Sequence, residues 1–142
     1  MTYAVQIAGN KHFYTESPSY QAKQPRKSRH GDLHHTGVIS EIIQSYNALG
    51  LEVILAGMNV HTLNNTLETK IYGDVIRRAL AAGITDISFW GLTDKHAYTW
   101  VPGAQPLILN ANYTAKSELY AVHGALAGFA DAQTPQYGHE RL

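Results

Sequence analysis

Length, composition and charge exclude several classes of protein. The chain has 142 residues, the size of one ordinary domain, and 44% of them are hydrophobic, which is enough for a packed core. Eleven basic residues balance eleven acidic ones, so charge gives no reason to expect a nucleic-acid partner or an anionic membrane surface. The absence of Cys excludes disulfides, thiolate metal sites and a cysteine nucleophile.

The sequence shows no targeting or membrane-spanning segment. The first residues, MTYAV, lack the basic and apolar regions of a secretory signal. No apolar run reaches the roughly 20 residues that cross a bilayer, so no membrane partner is expected. We therefore expect either an intracellular protein or one whose signal has been removed.

Strand-like and helix-like segments alternate along the first half of the chain. Residues 3–8 predict a first strand, and a long polar loop over 11–37 follows it. Apolar residues at helical spacing predict a helix over 38–49, which Gly50 ends. Residues 51–60 predict a second strand.

The second half repeats this alternation. Asn65 and Glu68 have the spacing of a capping box, which predicts a helix that Gly83 ends. Residues 84–90 predict a third strand, 91–113 a second long loop and 131–142 a polar tail. Thr114 is the expected N-cap of a last helix, and the residues predicted to face inward from it are Leu119, Val122, Leu126 and Phe129.

The order βα-βα-βα predicts the fold class. Strands that alternate with helices are typical of an α/β protein with a parallel sheet. We expect a single domain over 1–142 with three βα units. Such a sheet has two open edges, which invite pairing with another chain, so a homo-oligomer or a complex with a complementary chain is predicted.

One segment carries a specific family pattern. Residues 89–95 read FWGLTDK, and they are followed by Tyr98, by PLIL at 106–109, by Asn112-Tyr113 and by Lys116. This pattern resembles the last βα unit of family 10 glycoside hydrolases, the β-1,4-xylanases. Residues 48–53 and 70–76 resemble the approach to the nucleophile strand of that family and the helix after it. The resemblance runs from about residue 38 to residue 126, and Gln6 in the first strand would extend it.

The resemblance implies part of a (β/α)8 barrel without its catalytic carboxylates. A whole barrel needs roughly 250 residues, so the chain has room for strands six to eight, and the acid/base glutamate on strand four has no counterpart. Members read ITELDV at the nucleophile strand, whereas 55–60 read LAGMNV, with Gly57 at the glutamate position and Asn59 at the next aspartate. A histidine on strand six of the family would fall at Ala8. Retaining hydrolysis needs two carboxyl groups about 5 Å apart, so catalysis is not expected.

The same resemblance points to saccharide contacts. Trp90 and Tyr98 match positions at which the family stacks aromatic rings on sugars, and Lys95, His61 and Trp100 are further ligand candidates. The alternative for Trp90 is packing in the core at the end of a strand. Asn110 and Asn112 are better explained as turn residues, and Asp94 as structural. His123 is expected in the core or at an interface.

A His-rich segment is a separate candidate site. His30, Asp32, His34 and His35 could hold Zn²⁺ or a similar ion, although a solvated loop is the simpler interpretation. No other cofactor is expected. The sequence leaves three functions open: a non-catalytic domain that binds xylan-type oligosaccharides and self-associates, an enzyme that needs a complementary chain or a histidine-bound metal, and a purely structural barrel segment.

Overall fold

The chain forms an α/β structure, as its alternating pattern predicts. The computed structural model describes residues 2–7, 36–84 and 86–134, with side chains described from residue 39 onward. None of the helices among these residues has the length and apolar composition of a membrane-spanning segment. The elements are β1 (Thr2–Ile7), α1 (Thr36–Asn47), β2 (Val53–Asn59), α2 (Asn65–Ala81), β3 (Ile87–Phe89), a short 3₁₀ turn (Asp94–His96) and α3 (Ser117–Gln133).

The three strands form one sheet in the order β1-β2-β3. Strands β2 and β3 are parallel, as predicted, but β1 runs antiparallel to β2. The expectation of a third parallel unit is therefore wrong for β1. A strand that is apolar on both faces has the same residue pattern in either direction, so composition does not determine which way it runs.

Strand β2 contains a bulge around Gly57. Leu55 pairs with Ile87 and Met58 with Phe89, so three steps along β2 match two along β3. Gly57 adopts a φ of 67°, a left-handed conformation that side chains other than glycine's disfavour. Its N–H donates to the Ser88 hydroxyl at 3.2 Å, and this bond lies across the bulge. The predicted nucleophile position is thus an irregular point of the strand.

The core lies between the sheet and the helices, and α2 is its centre. The predicted apolar stripe of α2 is confirmed, since Ile71, Tyr72, Val75, Ile76, Ala79 and Leu80 are all buried. Helices α2 and α3 pack together near Gly73, where a Cβ would lie at an ordinary contact distance of 3.6 Å from the Ala121 Cβ. Helix α1 contributes Ile39 and Ile43 to the same core.

Three predictions about helix ends and faces are corrected. The N-cap of α2 is Asn64, whose side chain accepts from the Leu67 N–H at 3.0 Å, rather than Asn65. Helix α3 begins after Lys116, while Thr114 belongs to the preceding turn. Leu126 is 46% exposed and His123 is also exposed, so neither belongs to the core. Val122 is buried as predicted, and Leu119 and Phe129 are partly buried against the core.

Candidate functional site

An open cleft lies at the carboxyl ends of the two parallel strands. Asn59 ends β2, Trp90 follows β3, and the loop after the 3₁₀ turn completes the walls. The volume of the cleft is about 80 Å³. This edge of a parallel sheet is where α/β folds place their ligands. The lining residues are Asn59, Trp90, His96, Ala97, Tyr98 and Leu107.

Two exposed aromatic rings border the cleft. Trp90 is 69% and Tyr98 is 71% exposed, although both are large amphipathic rings that usually lose much of their surface on folding. The alternative that Trp90 packs in the core is therefore wrong. Flat exposed rings beside a cleft can stack on a planar or ring-shaped ligand.

The Trp90 ring lies directly against the backbone of Gly57. A Cβ built on Gly57 would be 2.9 Å from Trp90 Cε3, closer than carbon atoms in proteins approach each other. The indole therefore covers the place from which a side chain at position 57 would project. Both the φ of Gly57 and this contact with Trp90 disfavour a larger residue at position 57.

His61 and Trp100 form a second aromatic contact beside the cleft. Their ring centroids are 3.5 Å apart at an interplanar angle of 24°, and the Tyr98 ring lies 6.5 Å from that of Trp100. The Thr99 hydroxyl is 2.9 Å from His61 Nδ1 and also bonds to the backbone of Val101. This contact links the loop that carries Tyr98 to the end of β2.

The electrostatics of His61 keep its imidazole neutral. The ring is only 6% exposed, and Nε2 has no hydrogen-bond partner within the described part of the chain. Burial lowers the pKa of His61 to about 4, because a charged imidazolium would lose its hydration there. His61 is therefore uncharged at neutral pH. Its side chain is not among those that line the cleft.

A buried ionic network supports the loop below the cleft. The Lys116 ammonium lies 3.0 Å from Asp94 Oδ2, 3.3 Å from Glu68 Oε1 and 3.8 Å from Glu118 Oε2. It also donates to the Leu107 carbonyl at 2.7 Å and to the Gln105 carbonyl. A single cation thus joins α2, α3 and the loop that supplies the cleft wall.

Asp94 has the structural role that the sequence predicts. Its second carboxylate oxygen accepts from the Leu107 N–H at 2.9 Å. The capping-box role predicted for Glu68 is wrong, because this residue is 1% exposed and its carboxylate pairs with Lys116. No local pattern in the sequence predicts this network, and Lys116, which belongs to the family-like pattern, is the one residue that points to it.

The network holds more negative than positive charge. Burial, with the neighbouring Glu118 and Asp94 carboxylates, raises the pKa of Glu68 to about 7, against the opposing effect of Lys116. Burial likewise raises the pKa of Tyr72, whose hydroxyl donates to the Pro106 carbonyl. The Glu68 carboxyl group therefore holds its proton more tightly than an exposed glutamate does.

The remaining candidates lie away from the cleft. The Lys95 ammonium is 5.5 Å from the centroid of the Tyr113 ring, a cation–π contact outside the cleft lining. Asn110 and Asn112 are turn residues as expected, since both bond to Thr114. His30, Asp32, His34 and His35 lie outside the described residues. Among the described residues, no group of three or more His, Asp or Glu side chains is arranged to hold a metal ion.

A comparison with family models agrees with the family resemblance of the motif around Trp90. The model of glycosyl hydrolase family 10 matches residues 28–125, more than half of the chain. The chain belongs to this family. The match starts after β1, and β1 runs antiparallel, so the assignment of Gln6 to a sixth barrel strand is not supported. Ala8 lies outside the described residues. A comparison with curated proteins finds no match.

Two solved family 10 structures share the fold. Native xylanase 10B from Thermotoga maritima superposes with a TM-score of 0.61 and 24% identity, covering 70% of this chain and 34% of that one. Xylanase 10B from Thermotoga petrophila RKU-1, solved in complex with xylobiose, gives a TM-score of 0.52 and 23% identity over 66% of this chain and 32% of that one. The chain therefore spans about a third of the length of these xylanases.

Proposed function

We propose that the chain is a non-catalytic family 10 segment that binds xylan-type oligosaccharides weakly through the rings of Trp90 and Tyr98. The observation that carries this proposal is the exposure of both rings beside a cleft at the carboxyl ends of β2 and β3. Aromatic faces suit the C–H faces of a pyranose ring. The complex of a structural relative with xylobiose suggests the class of sugar.

The chemistry of the cleft supports binding over hydrolysis. The six lining residues include no carboxylate, and Gly57 supplies no nucleophile. The buried carboxylates of Glu68, Asp94 and Glu118 are all held by Lys116. Asn59 and His96 remain as hydrogen-bonding groups for sugar hydroxyls. A cleft of about 80 Å³ is too small to enclose a sugar, so the ligand would lie across the rims.

Binding can be observed directly at the tryptophans. The chain contains two Trp, so a ¹⁵N-labelled sample has two indole N–H signals, which Trp100→Phe assigns. Adding xylotetraose should shift the Trp90 signal more than the Trp100 signal, with a Kd near 1 mM, about −4 kcal/mol. An α-linked glucose oligosaccharide serves as the control sugar.

Matched variants test whether the sugar binds at the cleft or elsewhere on the surface. Trp90→Ala should weaken xylotetraose binding about fivefold, since one stacking contact contributes roughly 1 kcal/mol. Tyr120→Ala removes a similarly exposed ring from α3 and should leave the affinity unchanged. Equal affinities of the two variants, or a Trp90 signal that stays in place at about 10 mM sugar, would contradict the proposal.

Restoring a glutamate at position 57 should not produce a hydrolase. Gly57→Glu is expected to leave aryl xyloside cleavage at background, because none of the described residues that line the cleft supplies a second carboxyl group and the Trp90 ring blocks the side chain. The left-handed φ and the contact with Trp90 should also lower the free energy of unfolding by about 2–3 kcal/mol. Turnover by Gly57→Glu, or by the unmodified chain, would overturn the non-catalytic proposal.

A second glycine provides the control for this strain. Gly50 has a φ of 73° and no atom within 4 Å of a built Cβ, so Gly50→Ala isolates the backbone cost, about 1 kcal/mol. Gly57→Ala adds the contact with Trp90 and should cost more in urea denaturation. Equal losses for the two alanine variants would mean that the Trp90 ring moves aside freely.

Self-association is the second part of the proposed function. The chain spans about a third of the xylanases that it resembles, so the helices and strands that would flank β3 and α3 in a barrel are not among its described elements. Exposed apolar and backbone groups at such boundaries favour association. Light scattering over a range of protein concentrations tests this, and a constant monomer mass would contradict it.

A further inference from the structure

The segment that carries Tyr98 has little support from its own backbone. Between Tyr98 and Gly103, no backbone group hydrogen-bonds to the backbone of another element within the described part of the chain. The bond nearby is local, from the Ala104 N–H to the Val101 carbonyl at 3.0 Å. A loop without such bonds samples several conformations unless side chains anchor it. The position of the exposed Tyr98 ring therefore depends on side-chain contacts.

His61 supplies an anchor from outside this segment. The imidazole stacks on Trp100 with ring centroids 3.5 Å apart, and its Nδ1 lies 2.9 Å from the Thr99 hydroxyl oxygen. The backbone before His61 is fixed, because Val60 is buried and its N–H donates to the Pro106 carbonyl at 3.1 Å. His61 is 6% exposed and lines no part of the cleft, so it does not act by touching a ligand.

We propose that His61 is a positioning residue for sugar binding, which holds the Tyr98 ring beside the cleft through its Nδ1–H and its ring stack. The proposal rests on the proposed function, since it explains how one of the two sugar-stacking rings is kept in place. The ring of Tyr98 lies 6.5 Å from that of Trp100 at an interplanar angle of 52°, within the range of an aromatic pair. The contacts thus run without a break from the end of β2 to a ring at the cleft.

The bonds of Thr99 assign the proton of the neutral imidazole to Nδ1. The Thr99 hydroxyl accepts from the Val101 N–H and donates its only hydrogen to the Val101 carbonyl, both at 3.1 Å. It therefore bonds to His61 by accepting the Nδ1–H. Nε2, which has no partner among the described residues, is then an acceptor, and a buried acceptor without a partner is less rare than a buried N–H without one. Both observations favour the same tautomer.

Anchoring the Tyr98 ring before the sugar arrives raises affinity. A ligand binds the fraction of molecules that hold the competent conformation, so the apparent Kd rises as this fraction falls. Without the bond from His61, the ring should lie beside the cleft in about a third of molecules, which raises Kd about threefold. Trp90 follows β3 directly and lies against Gly57, so its stacking contact should not depend on His61.

Two substitutions remove the bond from its two ends. Thr99→Val keeps the branched shape of the side chain, and His61→Phe keeps a ring that can stack on Trp100, so both variants should fold, as circular dichroism would verify. Each should raise the Kd for xylotetraose about threefold. Thr62→Val is the control, because the Thr62 hydroxyl bonds to the Asn64 N–H at 3.1 Å and not to the Tyr98 segment. Its Kd should equal that of wild type.

Double variants separate positioning from general destabilisation. In Tyr98→Ala the positioned ring is gone, so adding Thr99→Val should raise Kd no further. In Trp90→Ala the Tyr98 ring remains, so adding Thr99→Val should still raise Kd about threefold. Shifts of the cleft amide signals in ¹⁵N-labelled protein measure each Kd. Equal effects of Thr99→Val in the two backgrounds would overturn the positioning role.

Two measurements without sugar test the anchor itself. The ¹⁵N signals of the His61 ring should show the proton on Nδ1, and backbone order parameters at Tyr98 and Trp100 should fall in Thr99→Val but not in Thr62→Val. A proton on Nε2, or unchanged order parameters in Thr99→Val, would overturn the role. A wild type that binds no xylotetraose would overturn the proposed function and this role together. Binding by wild type with an unchanged Kd in Thr99→Val would overturn the role alone.

Discussion

Replacing Lys116 with methionine should lower the free energy of unfolding by about 3–5 kcal/mol, because the Asp94, Glu68 and Glu118 carboxylates would lose their shared cation. A small domain is stable by only about 5–15 kcal/mol, so much of the population could unfold at 37 °C. Urea denaturation followed by circular dichroism measures the loss.

An exposed ion pair provides the matched control. Lys70 lies 3.0 Å from Asp74 on the surface of α2, and Lys70→Met should cost at most about 1 kcal/mol. Adding Glu68→Gln to Lys116→Met should recover part of the loss, because it removes one of the uncompensated carboxylates. Equal unfolding midpoints for Lys70→Met and Lys116→Met would show that the buried network adds nothing to stability.

Glu68 and His61 should give the stability of the protein opposite dependences on pH. The pKa of Glu68 is about 7 in the folded chain, whereas the ordinary value for a glutamate, taken for the unfolded chain, is 4.5. The folded state therefore holds this proton more tightly. Its contribution to stability is complete below pH 4.5 and is lost as the pH rises to 7. The loss amounts to about 3 kcal/mol.

The sign for His61 is reversed. Burial lowers its pKa from 6.5 to about 4, so the folded state holds this proton more weakly than the unfolded state does. Its contribution is complete above pH 6.5 and is lost as the pH falls toward 4, again by about 3 kcal/mol. The contributions of His61 and Glu68 therefore oppose each other through most of this range.

Single substitutions should separate the two contributions. Relative to wild type, Glu68→Gln should gain stability as the pH rises from 4.5 to 7, whereas His61→Phe should gain it as the pH falls from 6.5 to 4. Glu41→Gln changes an exposed glutamate on α1 and should follow wild type at every pH. Urea midpoints at a series of pH values measure these differences. Parallel curves for all four proteins would refute both assignments.

The residues near Trp90 show how far sequence reasoning reaches. The motif WGLTDK, with Tyr98 and Lys116, identified the family and placed Trp90 and Tyr98 after a strand end. It did not show that the Trp90 ring covers Gly57, because that contact depends on a bulge in β2 and on a left-handed φ. Neither feature has a signature beyond the glycine itself.

Burial of charge was the other point that the sequence left open. Glu68 has the spacing of a capping-box residue, and this local pattern is typical of an exposed helix N-terminus. Its actual partner, Lys116, is 48 residues away, and only the packing of α2 against α3 brings them within 3.3 Å. The same packing determines that Glu118 shares this cation.

The sequence by itself determined the α/β class, the family, the core stripe of α2 and the absence of a glutamate at position 57, because these follow from residue types and their spacing. The tertiary structure alone decided the antiparallel direction of β1, the contact between Gly57 and Trp90, and the sharing of one ammonium by three buried carboxylates. Each of these depends on distances between residues far apart in the chain, which local periodicity does not encode.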